Sequence, residues 1–487
     1  MTPDKPFGIA VTVLCSILCC ALPLRFAILP LALSISMFPN TLLLPPDNLG
    51  LTPQRIIGLV LMIRCLTNSK VRGRHKWDWV DTTAVFYFLM TLVAQIITSG
   101  PGKGFNNRGG FFLQFMIPFW CVRLLIVDRD SFFILLKGWL WGALLLTVGG
   151  FYQFMTGDHP YYELMRYGVP KITPDLQTRL VDMRMMFGAL HFRANCPFVQ
   201  CIMFGWFFAL LVSFTTSLYW EKKKFFPWII PWAVGLPLGT ATAISGGAMF
   251  LAALSMGFLA LFPFRKYWRG TVIACAILWV AFSVVSNRNV LALMANSGFD
   301  AASSWYRVGL NETAMTYGMA GHWIAGYGDI WPITKFHDLC IHWVSIAVFH
   351  GIMGLVGFYS LLAICAWQLW KAKKKASGLA DEWILWSLLG AFLASQCAML
   401  VVALFGEMAV IYQMFMAIMA NAPLLVGTTA RRVGVMAEVD GRPVMLVYTL
   451  KPGQTLAMIT PATPVEETEE GKKKKKRRPN GPAPEPG

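Results

Sequence analysis

Apolar residues run along this chain in blocks of about twenty, the length a helix needs to cross the hydrocarbon layer of a bilayer. The blocks begin near Phe7, Phe26, Thr52, Val80, Gly110, Phe132, Pro197, Pro227, Gly247, Thr271, Ile341, Trp383 and Glu407. They predict an all-α polytopic membrane protein of about 12–13 transmembrane helices. Pro23 and Pro30 interrupt the beginning, so Phe7 to Pro39 reads either as a tight hairpin or as one broken element.

Polar residues between the blocks are distributed unevenly. Lys70, Arg72, Arg74 and Lys76 fill one gap, and Lys222, Lys223 and Lys224 another; Arg265, Lys266 and Arg269, then Lys371, Lys373, Lys374 and Lys375, then Arg431 and Arg432 follow. Such clusters mark the cytoplasmic side of a membrane protein. Alternation from them places three segments on the extracytoplasmic side: a turn over Gly100 to Arg108, a loop over 156–191 and a longer loop over 287–340 that holds short helices. Residues 1–431 therefore form the membrane domain. Residues 432–487 read as a cytoplasmic, mostly disordered tail, whose basic run 472–478 meets anionic lipid headgroups.

Composition agrees. The chain is 56% hydrophobic and 14% charged, against roughly 25% charged in soluble domains. The net charge of +17 lies in the inter-block clusters and the tail, which membrane topology explains without nucleic acid. No cysteine pair has CxxC spacing, and no histidine–acid set has HExxH spacing, so no metal or other cofactor is expected. Cys196 and Cys340 fall at the edges of extracytoplasmic loops, where a disulfide is an open option.

One polar stretch stands out against the apolar background. Ser303 to Trp343 carries Arg307, Lys335, three histidines and three acids, with Trp305, Tyr306, Trp323, Tyr327 and Trp331 among them. His337 and His342 flank Asp338 where the loop re-enters the membrane, and imidazole suits proton transfer near neutral pH. Asp338 could orient such a base or cap the following helix. The guanidinium of Arg307 could pair with a neighbouring acid or fork onto phosphate oxygens, and Arg193 offers a second cation on the same side. The aromatic residues Trp305, Tyr306 and Trp323 fit an interfacial belt or a platform for sugars. Gly326 to Gly328, "GYG", reads as a turn.

The order of these features resembles the O-antigen ligase and O-antigen polymerase superfamily: many helices, a late outer loop opening on an arginine, a GxG turn, then "HDLCIHWVSIAVFHGIMGLVGF". "HFRANCPFVQC" is a second, weaker echo. Departures mark a divergent member. The step from Arg307 to Leu310 is one residue short of the family spacing, His337 and His342 both miss the spacing to Gly351, and Ser245-Gly246-Gly247 replaces a Ser-Arg-Gly. The resemblance implies a GT-C-like architecture in a bacterial inner (cytoplasmic) membrane and an inverting, metal-independent reaction. A glycan would pass from an undecaprenyl-diphosphate carrier to an acceptor sugar or lipid at the outer face. Arg307 and Arg193 would bind the diphosphate, and His337 or His342, with Asp338, would supply the base. A polysaccharide transporter or flippase is the alternative that the helix count allows.

Overall fold

A computed structural model describes residues 4–39, 42, 44, 50–161, 183–186, 189–219, 229–267, 301–314, 316, 319–328, 339, 341–400, 402–427, 431–439 and 442–450, with isolated helical positions at 270, 273, 277 and 281. The described residues are predominantly helical, as an all-α membrane protein requires. Four helices among them are long and apolar enough to cross a membrane: Trp79–Ser99, Arg129–Thr156, Cys201–Leu218 and His342–Lys375. Shorter apolar helices lie at Pro6–Ala21, Leu24–Met37, Gly246–Ala260 and Gly406–Ala420. Apart from the block near Thr271, most of which lies outside the described residues, each predicted block contains a helix.

The beginning resolves into two helices, α1 (Asp4–Ala21) and α2 (Leu29–Met37), that pack on each other across a short 3-10 turn at Leu24–Phe26. Pro30 stands in the first turn of α2, where its missing N–H costs nothing. After α3 (Pro53–Thr67) and the short α4 (Ser69–Arg74), α5 spans Trp79–Ser99 behind an Asp78 capping box. Here the structure corrects one expectation. The segment Gly100 to Arg108 is not a turn but the start of α6 (Pro101–Phe111), which runs through a π-helical turn at Phe112–Met116 into α7 (Ile117–Leu125). Its glycines hide the helix in sequence. Gly104 is needed, since a Cβ there would lie 2.9 Å from the Ile96 side chain.

Helix α8 (Arg129–Thr156) leads to a hairpin of β1 (Met183–Met186) and β2 (Ala189–Phe192), and then come α9 (Cys201–Thr215), α10 (Ile229–Thr242) and α11 (Gly246–Ala260). Helix α9, "CIMFGWFFALLVSFT", is apolar all round, as a fully enclosed helix must be. It packs against α8, α10 and α11, and also against α14 (Leu379–Met399) and α15 (Gly406–Ala420). Small residues permit the approach: a Cβ at Gly205 would sit 2.5 Å from Ala248 Cβ, and one at Gly239 2.5 Å from the Phe208 ring. The remaining elements are α12 (Ala301–Thr313), α13 (His342–Lys375) and the short α16 (Ala422–Leu425).

A polar network ties together the connections at the end of the bundle that carries the Lys70–Lys76 cluster. Asp81 is fully buried, 3.2 Å from both Arg123 Nη2 and His75 Nε2, and Asp78 lies 2.9 Å from the same guanidinium. Asn421 accepts from Arg123 and donates to the carbonyls of Arg123 (3.0 Å) and Ile126 (2.7 Å). Asp381 pairs with Arg129 and accepts from the amides of Ser377 and Gly427. Buried charges persist only when paired this closely.

A second compact unit begins at Thr428. The tail expected to be mostly disordered from 432 opens instead with a β-hairpin, β3 (Arg431–Val439) antiparallel to β4 (Arg442–Leu450), with Val435 opposite Leu446. Residues 451–487, including the basic run, lie outside the described residues.

The feature that positions the polar stretch is a break in α13. Gly351 has φ 60° and ψ −156°, which breaks α13 into two helical halves. Residues Trp323–Gly328 fill the gap. The amides of Tyr327 and Gly328 donate to the carbonyls of Val348 (2.7 Å) and Phe349 (3.1 Å), and the amides of Ile352 and Met353 donate to Trp323 (2.8 Å) and Ile324 (3.2 Å). The contact is backbone to backbone: a Cβ at Gly351 would lie 2.3 Å from the Ile324 oxygen, and one at Gly326 2.5 Å from the Val348 oxygen. Both glycines also have positive φ. Gly351→Ala and Gly326→Ala are each expected to lower stability by more than about 2 kcal/mol. Gly73→Ala, in open space on α4, is expected to be neutral or to gain up to ~1 kcal/mol. Thermal unfolding in detergent checks all three.

Candidate functional site

The site is built at the bundle end opposite the Lys70–Lys76 cluster, from α12 and the segment that follows it. Leu310, Ala314 and Met319 are buried, and Ala314 and Met319 share a small core with Ile341, Val344, Ala347 and Val348 of the first half of α13. The turn expected at Gly326 to Gly328 is present, with φ of 72° and 70° at its two glycines. His322 stacks on Tyr327 at 4.0 Å, and Gly328 abuts Thr98 and Ser99 at the end of α5. The polar stretch is thus clasped into the bundle from Trp323 to Gly328.

Arg307 lies on α12, partly buried, with Trp305 and Tyr306 beside it at 40% and 39% exposure. Trp323, at 46%, opens the clasp itself. His337 and Asp338 lie outside the described residues, as do Trp331 and Cys340. His342 is the first residue of α13. Its Nδ1 accepts from the Leu404 amide at 3.2 Å, its ring meets Phe358 edge-on at 4.9 Å, and its Nε2 is enclosed. With Nδ1 acting as acceptor, the neutral ring carries its proton on Nε2.

Arg193 belongs to a different set of contacts. Its Nε donates to the Ala243 carbonyl at 3.4 Å, and its own carbonyl accepts from Gln153. Gln153 fixes the whole turn, since its Oε1 accepts from the amides of Asn195 and Cys196, both at 3.1 Å. Cys196 is a buried free thiol among the described residues. Four residues beyond Ala243, Gly247 lies against Val402, and Leu404 follows with the amide that holds His342. Arg193 therefore meets the segment leading into α11, and His342 meets the 402–404 segment that Gly247 lies against. Arg307 belongs to α12, and Ala314 and Met319, which follow that helix, pack in the core shared with α13.

Sequence reasoning missed Arg55 of α3 and Arg108 of α6 as polar positions inside the bundle. Arg55 donates to Gln114 Oε1 at 2.6 Å and to the Gly50 carbonyl, and Gly110 of α6 lies directly against its guanidinium. Arg108 packs over the Phe111 ring at 5.2 Å. His350, immediately before the break, is 9% exposed, and its Nδ1 has no hydrogen-bond partner among the described residues. The available signal was an arginine inside a helix-length apolar run, which needs a reason in a membrane. Compared with known proteins, the chain matches no family model, and no curated protein is detectably similar to it.

His159 closes the long loop's near end. It is 9% exposed, its Nδ1 accepts from the Tyr161 amide at 3.1 Å, and burial pushes its pKa down to about 4. Burial also pushes the Tyr161 phenol up to about 12. Below the ordinary histidine value the unfolded chain takes up the proton first, so stability is full above pH 6.5 and falls until about pH 4. A loss of roughly 2 kcal/mol between pH 7 and pH 5 is expected for wild type. His159→Gln should remove that part of the slope, measured by thermal unfolding at the two pH values.

Proposed function

We propose that the chain is a membrane glycosyltransferase that moves a glycan from undecaprenyl diphosphate to a hydroxyl of an acceptor sugar or lipid, with GT-C-like architecture. The observation that carries this reading is the clasp: a polar, arginine- and aromatic-bearing stretch is held by backbone bonds against the apolar bundle. A lipid-linked diphosphate needs that juxtaposition, with its chain among helices and its charge at their mouth. In the reaction the acceptor oxygen attacks the anomeric carbon from the face opposite the diphosphate. The carbon–oxygen bond to the diphosphate breaks, the diphosphate departs as an anion, and the configuration inverts. Arg307 and Arg193 stabilise the departing charge. The acceptor proton passes to His337, oriented by Asp338. His342 has its Nδ1 lone pair already engaged by Leu404, so we give it a positioning role at the 402–404 loop. Trp305, Tyr306 and Trp323 offer exposed ring faces to sugar. The site faces outward from a bacterial inner membrane and the C-terminus lies in the cytoplasm.

A second reading, a lipid or polysaccharide transporter, is favoured by one observation. Broken helices line the paths of transporters, and α13 is broken at Gly351. The two readings part on whether a bond is made. Purified protein given labelled undecaprenyl-diphosphate glycan, an acceptor and a chelator is expected to form a new glycosidic bond without nucleotide. Arg307→Ala and His337→Ala should each slow transfer by about a hundredfold or more at equal folded yield. His342→Ala should slow it less, and its pH profile should keep the wild-type shape. Movement of the lipid between leaflets with no bond formed would select the transporter.

A further inference from the structure

A groove unrelated to the clasp opens where α13 and α14 meet the 3-10 segment Phe262–Tyr267, with a volume of about 480 Å³. That size is typical of small-molecule sites. Its floor is aliphatic, formed by Leu369 of α13 and Leu385 and Leu389 of α14. Trp370 and Trp386 form its sides, and the Trp386 indole is fixed by its bond to the Phe258 carbonyl at 2.5 Å. Charge gathers at one rim. Arg265, Lys266 and Lys373 line it, against the single carboxylate of Glu382, which Arg265 engages at 2.6 Å. The lining as a whole is therefore positive at one end and apolar along its length.

Its place along α13 identifies the occupant. Tryptophans at 367 and 370 give way within one turn to Lys371, Lys373, Lys374 and Lys375. Lys371 folds back over the Trp367 ring at 3.5 Å. An aromatic belt followed by basic residues marks the headgroup level of a membrane, and basic pockets between helices at that level take up phospholipid headgroups. A soluble anion would use the rim and leave the leucine floor bare. A neutral acyl chain would use the floor and make no use of the positive rim. Only a molecule with both parts complements the groove.

We propose that this groove is a binding site for an anionic phospholipid, with an acyl chain along Leu369, Leu385 and Leu389 and the phosphate against Lys266 and Lys373. Arg265, held by Glu382, fixes the rim. The site stands on its own geometry and is independent of the glycan-transfer reading.

Native mass spectrometry of the full chain, released from detergent with phosphatidylglycerol, phosphatidylcholine or glycerol 3-phosphate, tests it. Phosphatidylglycerol is expected to be retained at least tenfold more tightly than phosphatidylcholine, with glycerol 3-phosphate not retained. At about 1 kcal/mol for each basic residue at the headgroup level, Lys266→Gln should weaken phosphatidylglycerol about fivefold. The double change with Lys373→Gln should weaken it about twenty-five-fold, while phosphatidylcholine stays unchanged. Ala366→Trp, which fills the groove without altering charge, should remove the preference. Equal retention of both phospholipids, or a preference surviving the double change, would overturn the proposal. Retention of glycerol 3-phosphate as tightly as the lipid would replace it with a phosphate site that makes no use of the floor.

Discussion

A backbone amide or carbonyl left unpaired in an apolar medium costs several kcal/mol, and an apolar bundle offers no water to relieve it. The break at Gly351 exposes two carbonyls and two amides at once, and the organisation of the polar stretch follows from how they are satisfied. The Trp323–Gly328 segment supplies two donors and two acceptors in register, closing the gap as a short splice between a loop and a helix. Because the pairing is backbone to backbone, it works only where the chains can touch, and Gly326 and Gly351 are the positions that let them.

The splice has consequences on both sides. Upstream, it ties down the chain that follows α12, so Arg307, Trp305 and Tyr306 are carried on a helix whose far end is anchored in the core of the α13 half-helix. Downstream, it separates the half-helix that begins at His342 from the long half that packs along α5, where a Cβ at Gly357 would lie 3.0 Å from Tyr87. The first half is then free to be set by its own contacts, and the Leu404 amide on His342 is one of them. At the other end of the bundle, the Asp81–Arg123–Asn421 network keeps the connections fixed. The two ends thus use different physics, charge pairing at one and backbone pairing at the other.

Much of this was legible in the sequence, and the remainder failed for identifiable reasons. Hydrophobic runs located the helices because a membrane span is apolar over about twenty consecutive residues, which is a local signal. The glycines at 326 and 328 read as a turn because positive φ is a local demand. The break at Gly351 was invisible, since "VFHGIMGLVGF" has the pattern of an uninterrupted helix and the partner that makes a break tolerable lies more than twenty residues upstream. Helix α6 was mistaken for a turn because glycine depresses helix propensity, while its packing against Ile96 comes from tertiary structure. His342 looked equivalent to His337 as a base until a backbone donor 62 residues away was found on its Nδ1. Arg55 and Arg108 were passed over singly, and only folding brings Gly110 and Gln114 to the same guanidinium.

Hydrogen–deuterium exchange on the protein in lipid nanodiscs, read at single-amide resolution across 321–328 and 346–356, tests the splice most directly. The account predicts that the amides of Tyr327, Gly328, Ile352 and Met353 exchange as slowly as those in the long half of α13, although the first two belong to a loop. Exchange at Tyr327 and Gly328 as fast as in an exposed turn, with α13 itself protected through Gly351, would show an unbroken helix beside a free loop and contradict it.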